Sequence, residues 1–186
     1  MFPASLIASA VLLAGCGGGG NNGKGSATGT PEQSDPAAQS EAFSCPADYK
    51  KLQITGSSIP NANLSMVSDD GVATLTIKTP ASVTTSDLTV CLGKPNPVPA
   101  GVKADYVYEV KAQGNLRSMV SSTLTLNFTT NVVPTQSPPV IELAEVSGGT
   151  VTYKPLIQGA AYSARPNYSL AANAQDPGLY VVRLTK

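Results

Sequence analysis

From residue 45 onward, apolar side chains recur at alternate positions in short runs separated by Gly, Pro, Asn and Asp. A period of two marks a strand with one buried face. Residues 72–79 place Ala73, Leu75 and Ile77 together, and residues 87–92 do the same with Leu88, Val90 and Leu92. Residues 105–111 align Tyr106, Tyr108 and Val110, and residues 123–129 align Leu124, Leu126 and Phe128. Further strands are expected over 51–55, 64–67, 140–146, 150–154, at Tyr162, and over 167–171 and 179–185. Asp69-Asp70-Gly71 and Gly148-Gly149 read as turns. The proline-bearing stretches 94–99 and 134–139 read as loops, because proline cannot serve a central ladder. Cys45-Pro46-Ala47-Asp48 could cap a single helical turn, with Pro at its first position. The pattern predicts an all-β chain: one antiparallel, immunoglobulin-like β-sandwich of roughly nine or ten strands over residues 45–186.

The N-terminal pattern is different. Phe2 to Leu13 is almost continuously apolar, too short to cross a bilayer, and is followed by Gly17-Gly18-Gly19-Gly20. Residues 17–44 hold seven glycines and one large apolar group, Phe43. Such a segment buries too little surface to offset its ordering entropy and is expected to be a disordered tether, about 30 Å in r.m.s. span.

Leu13-Ala14-Gly15-Cys16, at the junction, resembles the lipobox of bacterial lipoproteins. The resemblance implies a signal peptide over residues 1–15, cleavage before Cys16, and lipidation of the Cys16 sulfur and the new amino terminus. No Lys or Arg precedes the apolar run; either the terminal amine serves alone or translation starts upstream. Gly17 is not the Asp that holds inner-membrane lipoproteins in place, so the resemblance implies attachment to the outer membrane through two lipid signals. At the other end, Pro177-Gly178-Leu179-Tyr180-Val181 is similar to the entry into the last strand of many bacterial immunoglobulin-like domains. The Cys-Trp-Cys signature of antibody domains is missing.

Composition narrows the chemistry. Twelve Lys and Arg balance twelve Asp and Glu, so no net field steers nucleic acid, and no nucleic-acid partner is expected. The chain has no His and no Trp. That excludes Ser-His-Asp and Cys-His catalysis and any His-ligated metal, and no cofactor or metal is expected. With Cys16 lipidated, Cys45 and Cys91 form an even pair in an oxidising compartment and are expected to be bonded. Cys91 has the opposite parity to Leu88, Val90 and Leu92, so the bond would staple the first residues of the domain to the outside of a sheet. A catalytic thiol would lack both a His base and a Cys-x-x-Cys spacing.

Other candidates are faint. Glu142 and Glu145 would suggest glycoside hydrolysis, but three residues apart on a strand they face opposite ways and read as solvated strand-edge charges. Asp69-Asp70-Gly71 lacks the alternating ligands of a calcium loop. No nucleophile elbow or phosphate-binding loop occurs, and no particular Ser–Lys dyad is singled out. Tyr106, Tyr108, Tyr153 and Tyr168, with Tyr162 and Tyr180, hold most of the aromatic area. Gathered on one exposed face they would bind a sugar or anchor a protein; otherwise they pack the core with hydroxyls at the rim. The expected function is therefore a non-enzymatic structural or protein-interaction module of the cell envelope, anchored to the membrane through the lipid on Cys16. A glycan-binding module using exposed Tyr is the alternative, and a hydrolase with an unrecognised site ranks below both.

Overall fold

The computed structural model describes residues 43–82 and 87–185. The lipobox, Cys16 and residues 17–42 of the expected tether lie outside the described residues. Eleven strands form two antiparallel sheets packed as a sandwich. They are β1 (Lys50–Ile54), β2 (Asn63–Val67), β3 (Ala73–Lys78), β4 (Leu88–Gly93), β5 (Tyr106–Gln113), β6 (Ser121–Thr129), β7 (Ile141–Ser147), β8 (Thr150–Pro155), β9 (Tyr162–Ala164), β10 (Asn167–Asn173) and β11 (Gly178–Val182). The six-stranded sheet has the order β1-β4-β5-β11-β7-β8, and the five-stranded sheet β2-β3-β6-β10-β9. Among the described residues the count slightly exceeds the expected nine or ten, and the strand expected at Tyr162 is the three-residue β9.

The period-two runs become the core. Ala73, Leu75 and Ile77 from β3, Leu88, Val90 and Leu92 from β4, and Leu124, Leu126 and Phe128 from β6 join one buried cluster between the sheets. Tyr108 and Val110 of β5 belong to it, and Tyr106 packs against it. Each large side chain so buried contributes about 1.5–3 kcal/mol relative to exposure. Gly148 and Gly149 both have positive φ (55° and 79°) and connect the paired residues Ser147 and Thr150. That is the two-residue hairpin turn that strand twist favours and that glycine alone adopts without strain. Pro46 to Tyr49 forms a hydrogen-bonded turn, Tyr49 N–H to the Pro46 carbonyl at 3.0 Å, rather than a helical turn.

A second, smaller cluster lies on the outer side of the six-stranded sheet. Val107, Ala144, Leu179 and Val181 point away from the main core, and Val102 and Ala104 of the β4–β5 loop pack against them with Val151 and Tyr153. The proline-rich loop is thus a lid over one outer face. The hydroxyl of Tyr153 pins it, accepting from Lys103 N–H at 2.9 Å and donating to the Lys103 carbonyl at 3.2 Å.

Where β8 ends at Pro155, paired with Glu142, the chain crosses to the other sheet. The Gln158 side chain then replaces a strand: its carbonyl accepts from Ile141 N–H at 3.1 Å and its amide donates to the Ile141 carbonyl at 2.8 Å. The backbone groups of Ile141 are thereby satisfied at the open side of the sandwich.

Candidate functional site

The residues expected to be special at the domain entrance do come together. Cys45 and Cys91 are bonded, with Cα atoms 5.6 Å apart. Cys91 turns away from the core cluster that holds Leu88, Val90 and Leu92, as parity required, and is nonetheless fully buried. The entering segment covers it. Two residues along β4, Gly93 has no side chain, and the Tyr49 ring occupies the space: a Cβ there would lie 2.5 Å from Tyr49 Cδ1. Glycine within a strand here marks a close approach. The Tyr49 hydroxyl donates to Glu109 Oε2 at 2.6 Å, and Lys111 Nζ lies 6.0 Å from the ring centroid. Burial, then the hydrogen-bonded Glu109 carboxylate, raises the Tyr49 pKa well above the ordinary phenol range. The entrance is thus held by a covalent bond, a ring seated on bare backbone and a charge-assisted hydrogen bond.

Beside this clamp, Asp48, Ser68, Asp69, Asp70, Lys94 and Asn96 line a recess of about 220 Å³. Asp70 is its centre, at the turn made by Ser68 to Ala73. Its Oδ1 accepts from the Ser68 hydroxyl at 2.6 Å and Val72 N–H at 3.1 Å. Its Oδ2 accepts from the Tyr108 hydroxyl at 2.6 Å and pairs with Lys94 Nζ at 2.7 Å. Burial pushes the Asp70 carboxyl upward, but hydrogen bonds from Lys94, Ser68, Tyr108 and the Val72 N–H outweigh it and hold the group well below the usual carboxylate range. Burial and the same carboxylate raise Tyr108 far above an ordinary phenol.

This constellation is chemically saturated. Ser68 and Lys94, the one serine and lysine that share the recess, meet on Asp70 rather than on each other. The Ser68 hydroxyl donates to Asp70 and accepts from Ala73 N–H at 2.9 Å, so it is held as a turn residue. Lys94 faces a carboxylate rather than a hydroxyl it could deprotonate. Asp69 pairs with Lys50. Among the described residues no group of three or more His, Cys, Asp or Glu is placed to hold a metal ion.

The carboxylates of β7 correct the sequence reading. Glu142 is not a solvated strand-edge charge: it is 5% exposed, and Arg183 grips it with Nε to Oε2 at 2.8 Å and Nη2 to Oε1 at 3.0 Å. Arg183 also stacks on Tyr153, 3.8 Å from the ring centroid. Glu142 lies on the outer side of the sheet, the side roofed by the β4–β5 loop, and parity alone did not reveal the roof. Glu145 pairs with Lys154 at 2.6 Å.

The four candidate tyrosines are not gathered on an exposed face. Tyr108 and Tyr168 are buried in the core, and Tyr106 packs against it, its ring 4.2 Å from Phe128, which stacks in turn on Tyr168 at 5.3 Å. Tyr153 lies on the outer side of the other sheet, held to Lys103. Tyr180 is fully buried, its hydroxyl donating to the Asp176 carbonyl. Tyr162 alone of these is largely exposed, at 61%, because it sits on the three-residue edge strand β9.

No protein-family model matches this chain, and neither a curated protein nor a solved structure matches it.

The two outer faces differ in charge. The five strands of the smaller sheet carry one charged side chain, Lys78, while the six strands of the larger carry seven. The outward positions of the smaller sheet are chiefly Thr, Ser and Asn. Thr74 pairs with Thr125, and Thr76 with Thr123, side by side. This neutral face escaped sequence reading; the signal was present in the Thr-x-Thr spacing of 74–76 and 123–125, but strand order was needed to bring the pairs together.

Proposed function

We propose that this chain is a lipid-anchored lipoprotein of the outer membrane whose sandwich is a non-catalytic interaction module, engaging an envelope protein by strand addition at β2. The observation that carries the reading is the β2 edge. It is five residues long, Asn63–Val67, without a charge or a proline, and Val67 is 45% exposed. The other edges carry the devices that discourage pairing: Lys50 and Lys51 on β1, Lys154 and Pro155 on β8, and only three residues in β9. An edge left open presents backbone donors and acceptors to an extended segment of a partner. The saturated hydrogen bonding at the entrance recess supports a mechanical rather than a catalytic role for it, and the lipobox resemblance supports the anchor.

Two measurements test the reading. Intact-mass analysis of protein extracted from membranes should give a chain beginning at acylated Cys16; a chain retaining residues 1–15, or a soluble unlipidated one, overturns the anchor. A photocrosslinker at Ser65 in intact cells should capture a discrete protein, and Ser65→Pro should abolish capture. Capture at Ser65 and at an exposed β8 position to the same extent, or none at all, overturns the strand-addition reading.

A further inference from the structure

At the opposite edge of the same sheet, Tyr162 pairs with Ser169, and Ser169 with Asn127 across β10 to β6. The next outward row is Ala164, Asn167 and Thr129. Rows are about 6.8 Å apart along a strand and neighbouring strands about 4.8 Å apart. Tyr162, Asn127, Thr129, Asn167 and Ser169, together with Phe128 and Tyr168, line a groove of about 330 Å³. The small Ala164 beside the ring leaves the groove open.

We propose that this groove binds an uncharged glycan chain, with the apolar face of one pyranose on the Tyr162 ring and the hydroxyls of its neighbours on Asn127 and Asn167. The proposal rests on the reading of the domain as a non-catalytic binding module, and gives that module a ligand class. Three observations converge. The first is the exposed ring, which offers a flat, weakly polar surface to C–H groups. Second, the amide of Asn127 and the hydroxyls of Ser169 and Tyr162 make no hydrogen bond among the described residues, while Thr129 donates to Asn167 Oδ1 at 3.1 Å and leaves the Asn167 amide nitrogen available to an acceptor. Third, the groove contains no charge, and the whole sheet carries only Lys78, at the far end of β3 from the groove. A neutral polyol matches a lining of amides and hydroxyls in both charge and hydrogen-bonding capacity, with Arg165 the one charge in the adjoining β9–β10 turn.

The test is titration of the full chain, in detergent, with maltohexaose, cellohexaose and chitohexaose, followed by amide and side-chain NMR shifts. At least one should give saturable shifts confined to β9 and the neighbouring parts of β6 and β10. Tyr162→Ala should weaken binding about tenfold and Tyr162→Phe should retain it. Because Tyr162 is exposed, both variants should keep the parent's unfolding midpoint, which a denaturation curve checks. No saturable shift with any of the three overturns the proposal. So do shifts located at the entrance recess, shifts that survive Tyr162→Ala, or concentration-dependent shifts without sugar, which would assign the face to a second copy of this chain. None of these outcomes alters the mass or crosslinking results, so this proposal and the anchored-module reading fail independently.

Discussion

Removing the Cys45–Cys91 bond should cost the domain about 4 kcal/mol. The bonded residues are 46 apart, and closing a loop of that size withdraws about 13–14 cal/mol/K from the unfolded chain, or about 4 kcal/mol at 25 °C. The double variant Cys45→Ala/Cys91→Ala measures this without leaving a free thiol. Because Cys91 is fully buried, loss of its sulfur adds a small packing term of about 1 kcal/mol or less. Urea unfolding should therefore show a loss of 4–5 kcal/mol, about 12–16 °C in Tm for a domain of this size. The m-value should also rise, since the uncrosslinked chain exposes more surface when it unfolds. Hydrogen exchange supplies a second, local readout. The Tyr49 N–H, bonded to the Pro46 carbonyl, should lose protection beyond what the global loss explains, because the clamp also holds its segment on the sheet. A variant within about 1 kcal/mol of the parent, with an unchanged m-value, would refute the reasoning. It would mean that the unfolded chain is already confined, or that the entering segment adds nothing beyond its own contacts.

Other consequences concern single side chains. Gly93→Ala puts a Cβ into the Tyr49 ring and should cost about 1–3 kcal/mol in denaturant unfolding, with the Tyr49–Glu109 hydrogen bond lost. Asp70 has its carboxyl pKa depressed in the folded state, so its contribution is complete above the ordinary carboxylate pKa of about 4 and is lost as pH falls through the lower folded value. Asp70→Asn should thus destabilise at pH 6 and show a shallower loss of stability between pH 5 and pH 2, read from urea midpoints. Gln158→Ala strands the N–H and carbonyl of Ile141 and should cost about 1–3 kcal/mol, with faster exchange at the Ile141 amide. Ser122 Oγ is buried and has no hydrogen-bond partner, so Ser122→Ala should be neutral or stabilising by up to about 1 kcal/mol in the same assay.

The core was legible from sequence because alternation on a strand is a local property. Leu88, Val90 and Leu92 share a face whatever they pair with, and the opposite parity of Cys91 follows from the same geometry. What lies over a face is not local. Glu142 and Tyr153 point outward, as their parity says, yet the β4–β5 loop, far away in sequence, roofs that side and turns the first into a buried, Arg-gripped carboxylate and the second into a fastening for the loop. The same limit applies to Tyr162. In sequence it is one tyrosine among seven; its exposure follows from strand order, which puts β9 at an edge. The role of Gln158 depends on Pro155 ending β8 beside Ile141, a meeting that no period in the sequence encodes.

The covering explains why the two outer faces diverge. On the six-stranded sheet, the loop lid, the disulfide and the Tyr49 ring all occupy the outward side, and strand charges that remain there are engaged, Glu142 by Arg183 and Glu109 by the Tyr49 hydroxyl. That face is spent on holding the fold and its point of entry. The five-stranded sheet receives no such cover among the described residues. Its outward side chains are chiefly short hydroxyls and amides that neither build a core nor repel another surface. A soluble domain ordinarily disperses charge over an exposed face to keep it from associating. Leaving one face neutral, with an unguarded strand at one edge and a solvent-exposed aromatic ring at the other, forgoes that protection where association is possible. Division of labour between the faces accounts for both halves of the pattern: charge and cover where the disulfide and the Tyr49 ring clamp the chain, and a neutral hydrogen-bonding surface where another molecule can be met.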